Sequence, residues 1–219
     1  MVTQNGLEDL VKKARSSAIE RKYKQSFELI LSLKDIDTKK HPLNINEVVF
    51  LPTPTTKRSK VCVVASGDLG LRAGRAEADR VLPPNELDTI AGNKREAKKL
   101  ARSFDFFLAE TSAMTKIGRG LGRFLGPRGR MPTPIPLNAP IENLIARYRT
   151  GTRVRGRNQM AVAAKVGDED QSDEKVAENA MAVLTAVLNK LPNGERNLKG
   201  IAFKLSMSPP ARSLASQVK

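Results

Sequence analysis

From residue 26 to 33 apolar and polar side chains alternate. Phe27, Leu29, Leu31 and Leu33 fall on one side and Glu28 and Ser32 on the other, with Ile30 the exception. A period of two predicts a half-buried strand. Upstream, Leu7, Leu10, Val11, Ala14 and Ala18 recur at helical spacing, so the N-terminal stretch reads as an amphipathic helix capped by Thr3 or Asn5. A polar connection, Asp35 to Asn46, leads to a short strand from Val48 to Leu51. Pro52-Thr53-Pro54 then reads as a linker, because it cannot continue a central strand.

From Lys60 the pattern changes. Val61-Cys62-Val63-Val64-Ala65 is a continuous apolar run, the mark of a strand covered on both faces. Ser66-Gly67-Asp68 turns it. A helical stretch around Arg95 to Arg102 precedes a second buried run, Phe104 to Ala109, and a short helix starts near Ser112. Pro132, Pro134, Pro136 and Pro140 predict a semi-rigid extended passage, closed by a helix from Ile141 to Tyr148.

After Gly151 the first style returns. Met160 to Ala164 is strand-like and Asp168 to Asp173 is an acidic turn. Ser172 is placed to cap a helix carrying Val176, Ala180, Val183, Leu184, Val187, Leu188 and Leu191, ended by Pro192-Asn193-Gly194. In a last strand Ile201, Phe203, Leu205 and Met207 face one way, and Ala202, Lys204, Ser206 and Ser208 the other. Two stretches of one style flank a stretch of another. The expected fold is therefore α+β and α/β in two domains. A split, sandwich-like α+β domain (residues 1–52 plus 152–219) carries an inserted Rossmann-like, three-layer α/β domain (residues 53–151). Short linkers at Pro52–Pro54 and near Gly151 suit a hinge.

Charge narrows the function. The 219 residues carry 38 Lys plus Arg against 23 Asp plus Glu, a net charge of +15. Most of that excess lies between Thr111 and Gly167, where the only acid is Glu142 and the bases are Lys116, Arg119, Arg123, Arg128, Arg130, Arg147, Arg149, Arg153, Arg155, Arg157 and Lys165. Arginine forks pair phosphate oxygens bidentately, so a polyanion is the expected partner. Mean hydropathy of −0.37 and the absence of any apolar run near 18 residues argue for a globular chain without a membrane span. One cysteine, Cys62, and one histidine, His41, exclude a disulfide framework and a Cys/His zinc cluster, and a reducing cytosol is the expected compartment. Cys62 belongs in the core, and His41, beside Pro42, on the surface.

Three segments are candidates for chemistry. Ile117 to Pro132 interleaves glycines with arginines, which lets backbone approach a phosphate closely. It matches neither a dinucleotide fingerprint nor a phosphate-binding loop, although Gly126-Pro127-Arg128-Gly129 fits the four-residue loop of a KH module. Arg153, Arg155 and Arg157 project from one face of an extended segment about 7 Å apart and repel one another unless an anion lies against them. Lys204, Ser206 and Ser208 offer hydroxyls and a lysine on a face without acids. The acids Asp168, Glu169, Asp170, Asp173 and Glu174 are explained by a helix N-terminus without a metal.

Gly122 to Pro132, with its Gly-Pro-Arg-Gly-Arg-Met-Pro core, resembles the signature of the L-one family of ribosomal proteins, which form the large-subunit stalk. Arg21 to Leu29 and Leu33 to Asp37 resemble the archaeal branch of that family, and Lys204 to Pro209 is similar to its Thr-Met-Gly-Pro ending. The resemblance implies no enzymatic activity and no cofactor or metal. It implies direct binding of large-subunit rRNA by the split domain, centred on Tyr23, Ser26, Ser206, Met207 and Ser208, to which the basic residues Lys22, Lys34, Arg153, Arg155, Arg157 and Lys204 are added as expected contacts. It also implies neighbouring ribosomal components, contact of Arg119, Arg123, Arg128 and Arg130 with exit-site tRNA, help in releasing that tRNA, and repression of the protein's own messenger. The protein is then expected in the cytoplasm, on the large subunit. The sequence departs from the family at Ser208, where members have Gly, and at Lys13, where they have Glu. Two other readings compete: an enzyme binding a nucleotide after Ala65, and a free KH-like RNA regulator.

Overall fold

A computed structural model describes residues 2–36, 44–157 and 159–218. His41 lies outside them. In chain order the elements are α1 (Gln4–Ser16), β1 (Ser26–Leu33), β2 (Asn44–Phe50), β3 (Val61–Val64), α2 (Gly67–Arg75), β4 (Arg80–Leu82), α3 (Glu86–Gly92), α4 (Lys94–Ser103), β5 (Phe106–Glu110), α5 (Met114–Leu125), β6 (Thr133–Ile135), α6 (Ile141–Arg149), β7 (Gly151–Arg157), β8 (Ala161–Asp168), α7 (Asp173–Leu188), β9 (Leu198–Leu205) and β10 (Ala211–Leu214). They form two units, residues 1–57 with 150–219 and residues 58–149.

The first unit is an antiparallel sheet in the order β10-β9-β1-β8-β7-β2. The alternation of β1 does what its period demands. Phe27, Leu29, Leu31 and Leu33 are buried, and so are Phe203 and Leu205 of β9 and Val162 and Val166 of β8. Helices α1 and α7 cover this face and each other with Leu7, Leu10, Val11 and Ala14 against Val176, Ala180, Val183 and Val187. Thr3 caps α1, its hydroxyl accepting from the Gly6 N–H at 3.3 Å. Ser172 stands at the start of α7 without a side-chain cap bond, and the helix stops at Leu188, ahead of the proline expected to end it. The β1–β8 register slips between Phe27 and Glu28, a bulge at Val166 just before the Ser26–Asp168 pair.

Several connections are more ordered than the pattern suggested. Strand β2 begins at Asn44, with Ile45 buried, so the polar connection is shorter than expected. Pro52–Pro54 is no free linker. The buried Asn179 of α7 accepts from Thr53 N–H and donates to Thr53 and Val166 carbonyls, and Gln171 donates to Pro54 O. The chain leaves this unit after Lys57.

The second unit is a parallel sheet, β4-β3-β5-β6. Cys62, Val64, Phe107 and Ala109 pack on α3, α4 and α5, while α2 and α6 supply Leu69, Ala73, Ile145 and Tyr148 to the opposite layer. Phe106 meets Tyr148 edge-on at 5.3 Å. This is the expected three-layer α/β arrangement. The proline-rich passage contributes β6, at the sheet edge, where Pro134 removes no ladder bond that a further strand needs.

Residues 114–125 overturn the loop reading of the glycine–arginine segment. They are helix, with Ile117, Leu121 and Leu125 forming its buried stripe. That stripe outweighs three interior glycines, each disfavouring helix by about 1 kcal/mol. Gly120 also has a packing reason, since a Cβ there would stand 2.8 Å from Ala91 Cβ on α3. Gly126–Arg128 is one 3-10 turn and Gly129 takes φ +65° to leave it. The four residues likened to a KH loop are therefore the C-terminal stop of a helix.

Candidate nucleic-acid interface

Between α1 and β1 the chain runs without regular structure through Ile19, Tyr23 and Gln25. The turn after β9 carries Ser206, Met207 and Ser208. Tyr23 is 52 % exposed and Met207 56 %. Met207 lies past the end of β9 and points out of the fold, where the alternation had put it on the core face.

What joins these segments is Gln25, whose side chain is buried. Its Nε2 donates to Ile19 O at 2.8 Å, and its Oε1 accepts from Met207 N–H at 3.1 Å and from the Ser208 hydroxyl at 3.5 Å. Ser208, expected on an open face, is buried instead, and its Oγ accepts the Ile19 N–H at 3.0 Å. The Ser208 hydroxyl thus ties the loop to the turn. Ser206 N–H and hydroxyl both donate to Ser26 O, while Ser26 N–H donates back to Ser206 Oγ at 3.3 Å. Every one of these bonds is local or crosses from one chain end to the other, so folding sets the spacing of Tyr23 and Met207.

The acidic turn supports the same loop from outside. Glu169 accepts from Gln25 N–H at 2.9 Å, Asp170 holds Lys24 at 2.5 Å, and Asp168 lies 3.3 Å from Ser26 Oγ and 2.6 Å from Lys165 Nζ. The bond to Asp170 raises the pKa of Lys24. Arg15, at the end of α1, pairs with Asp173 at 2.8 Å, donates to the carbonyls of Glu169 and Gln171, and covers the Phe27 ring. Only Asp173 and Glu174 lie in the first turn of α7. The other three acids brace the loop, a role the sequence reading missed, as it missed Gln25 and Arg15. Among the described residues no three His, Cys, Asp or Glu side chains are placed to hold a metal ion.

The predicted residues do not all meet. Lys22, Tyr23, Ser26, Ser206, Met207 and Ser208 share this end of the unit. Lys204 stands one row away, 3.7 Å from Glu28, so its face is not free of acids as expected. Lys34 lies beyond the far end of β1, roughly 26 Å from Ser26 at the strand rise, beside Asp35. Arg153, Arg155 and Arg157 occupy alternate positions of β7 on the sheet face away from the helices, with Val154 in the core between them. Arg147 and Arg149, which share their odd spacing, belong to α6 in the other unit.

In the second unit Arg119, Arg123 and Arg128 are exposed, Arg123 lying over the Phe124 ring. Arg130 is engaged inside the unit. Its guanidinium donates to Ala101 O at 2.9 Å and Phe104 O at 2.7 Å, closing the C-terminus of α4, and reaches Asp105 at 3.3 Å.

The parallel sheet reverses its order between β3 and β5, where α/β folds bind ligands. Here Glu110, at the end of β5, fills that crevice. Its carboxylate accepts from Ser66 N–H and hydroxyl at the start of α2 and from the Ser112 hydroxyl. The Ser112 bond first, then those from Ser66, hold the carboxyl below its usual range. An anion of the protein itself thus sits where a nucleotide phosphate would. Cys62 is buried in β3 and its thiol is pushed up to about 12 by desolvation, which leaves it protonated.

A family model described as the ribosomal protein L1p/L10e family matches residues 11–209. A protein of Cenarchaeum symbiosum named large ribosomal subunit protein uL1 is 45 % identical over 94 % of this chain and 95 % of its own. Proteins of the same name are 44 % identical in Thermofilum pendens, over 97 % of this chain and 94 % of theirs, and in Aeropyrum pernix, over 93 % of each.

Proposed function

The chain belongs to the ribosomal protein L1p/L10e family, and from that premise we propose that it binds large-subunit rRNA directly through the Tyr23–Met207 end of its first unit. It is a structural protein of the large ribosomal subunit. The observation that carries the rRNA reading is the pair of exposed, bulky side chains, Tyr23 and Met207, on segments locked together by buried Gln25. A soluble fold gains nothing from fixing two such groups in water. Against folded RNA they supply base-stacking and apolar contact, and the hydroxyls of Ser26 and Ser206 border them.

The basic stripe adds attraction of another kind. Arg153, Arg155 and Arg157 neutralise phosphates and release counterions. Arg119, Arg123 and Arg128 form the surface offered to exit-site tRNA, whose release the protein then assists. Binding of a like RNA fold in its own messenger gives a route to repression. An enzymatic role is disfavoured by Glu110, which closes the crevice of the α/β unit.

Crosslinking to large-subunit rRNA, with peptides and nucleotides both mapped, tests the site. Crosslinked peptides should contain Tyr23 and Met207. Crosslinks confined to residues 58–149 would overturn the reading.

A further inference from the structure

We propose that the outward face of α4 binds the sugar–phosphate backbone of folded RNA. This site belongs to the second unit and stands whether or not Tyr23 and Met207 meet rRNA.

The sequence of α4 lays out the surface. Lys94, Arg95, Lys98, Lys99 and Arg102 are exposed, whereas Ala97, Leu100 and Ala101 are buried. At about 3.6 residues per turn, Arg95, Lys98, Lys99 and Arg102 fall within about 100° of arc, opposite the buried stripe, and span about 10 Å along the axis. Helices α1 and α2 each neutralise a cation one turn away, Lys12 lying 2.7 Å from Glu8 and Arg72 3.8 Å from Asp68. In α4 the same spacing joins like charges, Lys94 to Lys98, Lys98 to Arg102 and Arg95 to Lys99, and each such pair destabilises a helix. Among the described residues, none of these α4 cations lies within ion-pair distance of a carboxylate. The acid on this face, Glu96, belongs to the first turn, where the helix dipole favours it.

The fold holds this self-repelling row in place. At its N-terminus the Asn93 side chain accepts from Arg95 N–H at 3.1 Å and Glu96 N–H at 3.5 Å, and at its C-terminus Arg130 donates to the carbonyls of Ala101 and Phe104. A helix tied at both ends keeps its cations together against their repulsion, and an anion laid along it relieves that repulsion. Chemistry selects the anion. Protein interfaces are built around buried apolar or aromatic anchors and are depleted of lysine. The outward face of α4 has no such anchor, since its remaining exposed side chains are Glu96 and Ser103. Single-stranded nucleic acid is held by bases stacking on aromatic rings, which this face also lacks. A duplex backbone carries a charge every few ångströms and needs no apolar floor, so it matches a bare row of cations. In a protein of the large ribosomal subunit, that backbone is RNA.

The test uses the full chain and two RNA duplexes of about 16 base pairs and unrelated sequence. Affinity is followed between roughly 50 and 200 mM salt. The variant with Arg95→Gln, Lys98→Gln, Lys99→Gln and Arg102→Gln should bind at least roughly tenfold more weakly, with a log–log salt slope less steep by about three. The loss should be equal for the two duplexes, because phosphate contacts carry no sequence information. Glutamine is a good helix former and ends the repulsion, so this variant should melt no lower than the wild type. Lys98→Arg with Lys99→Arg keeps the charge and should keep both affinity and slope. A quadruple variant with wild-type affinity and slope would overturn the proposal, and is the result expected if α4 faces an acidic protein. A loss confined to one of the two sequences would overturn it as well.

Discussion

The amide N–H of Met207 donates to Oε1 of Gln25 at 3.1 Å across 182 residues of chain. Through this one side chain the C-terminal turn and the loop that carries Tyr23 share a scaffold. Gln25→Leu keeps the volume and removes the partner of the Ile19 carbonyl and the Met207 N–H and the acceptor of the Ser208 hydroxyl. Each buried group so orphaned costs about 1–3 kcal/mol. We expect a loss of roughly 2–4 kcal/mol in urea unfolding. Affinity for rRNA should fall beyond what the unfolded fraction accounts for.

Met207→Asp puts a carboxylate at the proposed rRNA site and disturbs no core contact, since the side chain is exposed. Specific rRNA binding should weaken by about 2 kcal/mol or more, as for loss of an anchor residue, with binding to random duplex nearly unchanged. Equal losses in the two titrations would remove Met207 from the site.

Arg153→Ala should make the salt slope of rRNA binding shallower by about one, the signature of one phosphate contact. An unchanged slope would mean that this side chain meets no phosphate.

Glu110 gives an acid-side prediction. Its carboxyl titrates below the ordinary glutamate range of about 4.3 because Ser112 and Ser66 donate to the ionised form. A folded-state pKa below the unfolded one stabilises fully above the unfolded value. The benefit disappears as pH falls through the folded value. Glu110→Gln should therefore lower stability by about 1–2 kcal/mol at neutral pH and by progressively less below about pH 4. Thermal melts across that range measure the difference, and a constant offset would contradict it.

Arg130→Ala removes the donor that closes the end of α4 at Ala101 and Phe104. The second unit should lose about 2 kcal/mol by denaturant titration, with rRNA affinity of the first unit unchanged. A variant that melts like the wild type but binds RNA more weakly would place Arg130 at an RNA contact instead.

The fold was readable where one pattern dominated. The alternation in β1, the buried runs of β3 and β5 and the long apolar stripe of α7 each have one periodic solution, and the return of the first style after Gly151 announced the split domain. It was unreadable where two tendencies competed. Gly118, Gly120 and Gly122 masked the stripe that makes α5 a helix, and the beat of β9 was extended past Leu205, which inverted Met207 and Ser208. Residues 66–92, with α2, β4 and α3, are too short and too polar to show a period. Tyr23 and Met207 came from family likeness. Gln25 and Arg15 gave no signal, because Met207 and Asp173, which they bind, lie more than a hundred residues away.

The interleaving of β1 with β8 and β9 has a consequence during synthesis. Residues 58–149 carry every strand and helix of the α/β unit and are free to fold as soon as they emerge. Strand β1, made first, waits for neighbours made last, and Gln25 has no Met207 to grasp until residue 207 has left the tunnel. A half-made chain therefore carries a finished insert while the Tyr23–Met207 end proposed to bind rRNA is still unassembled.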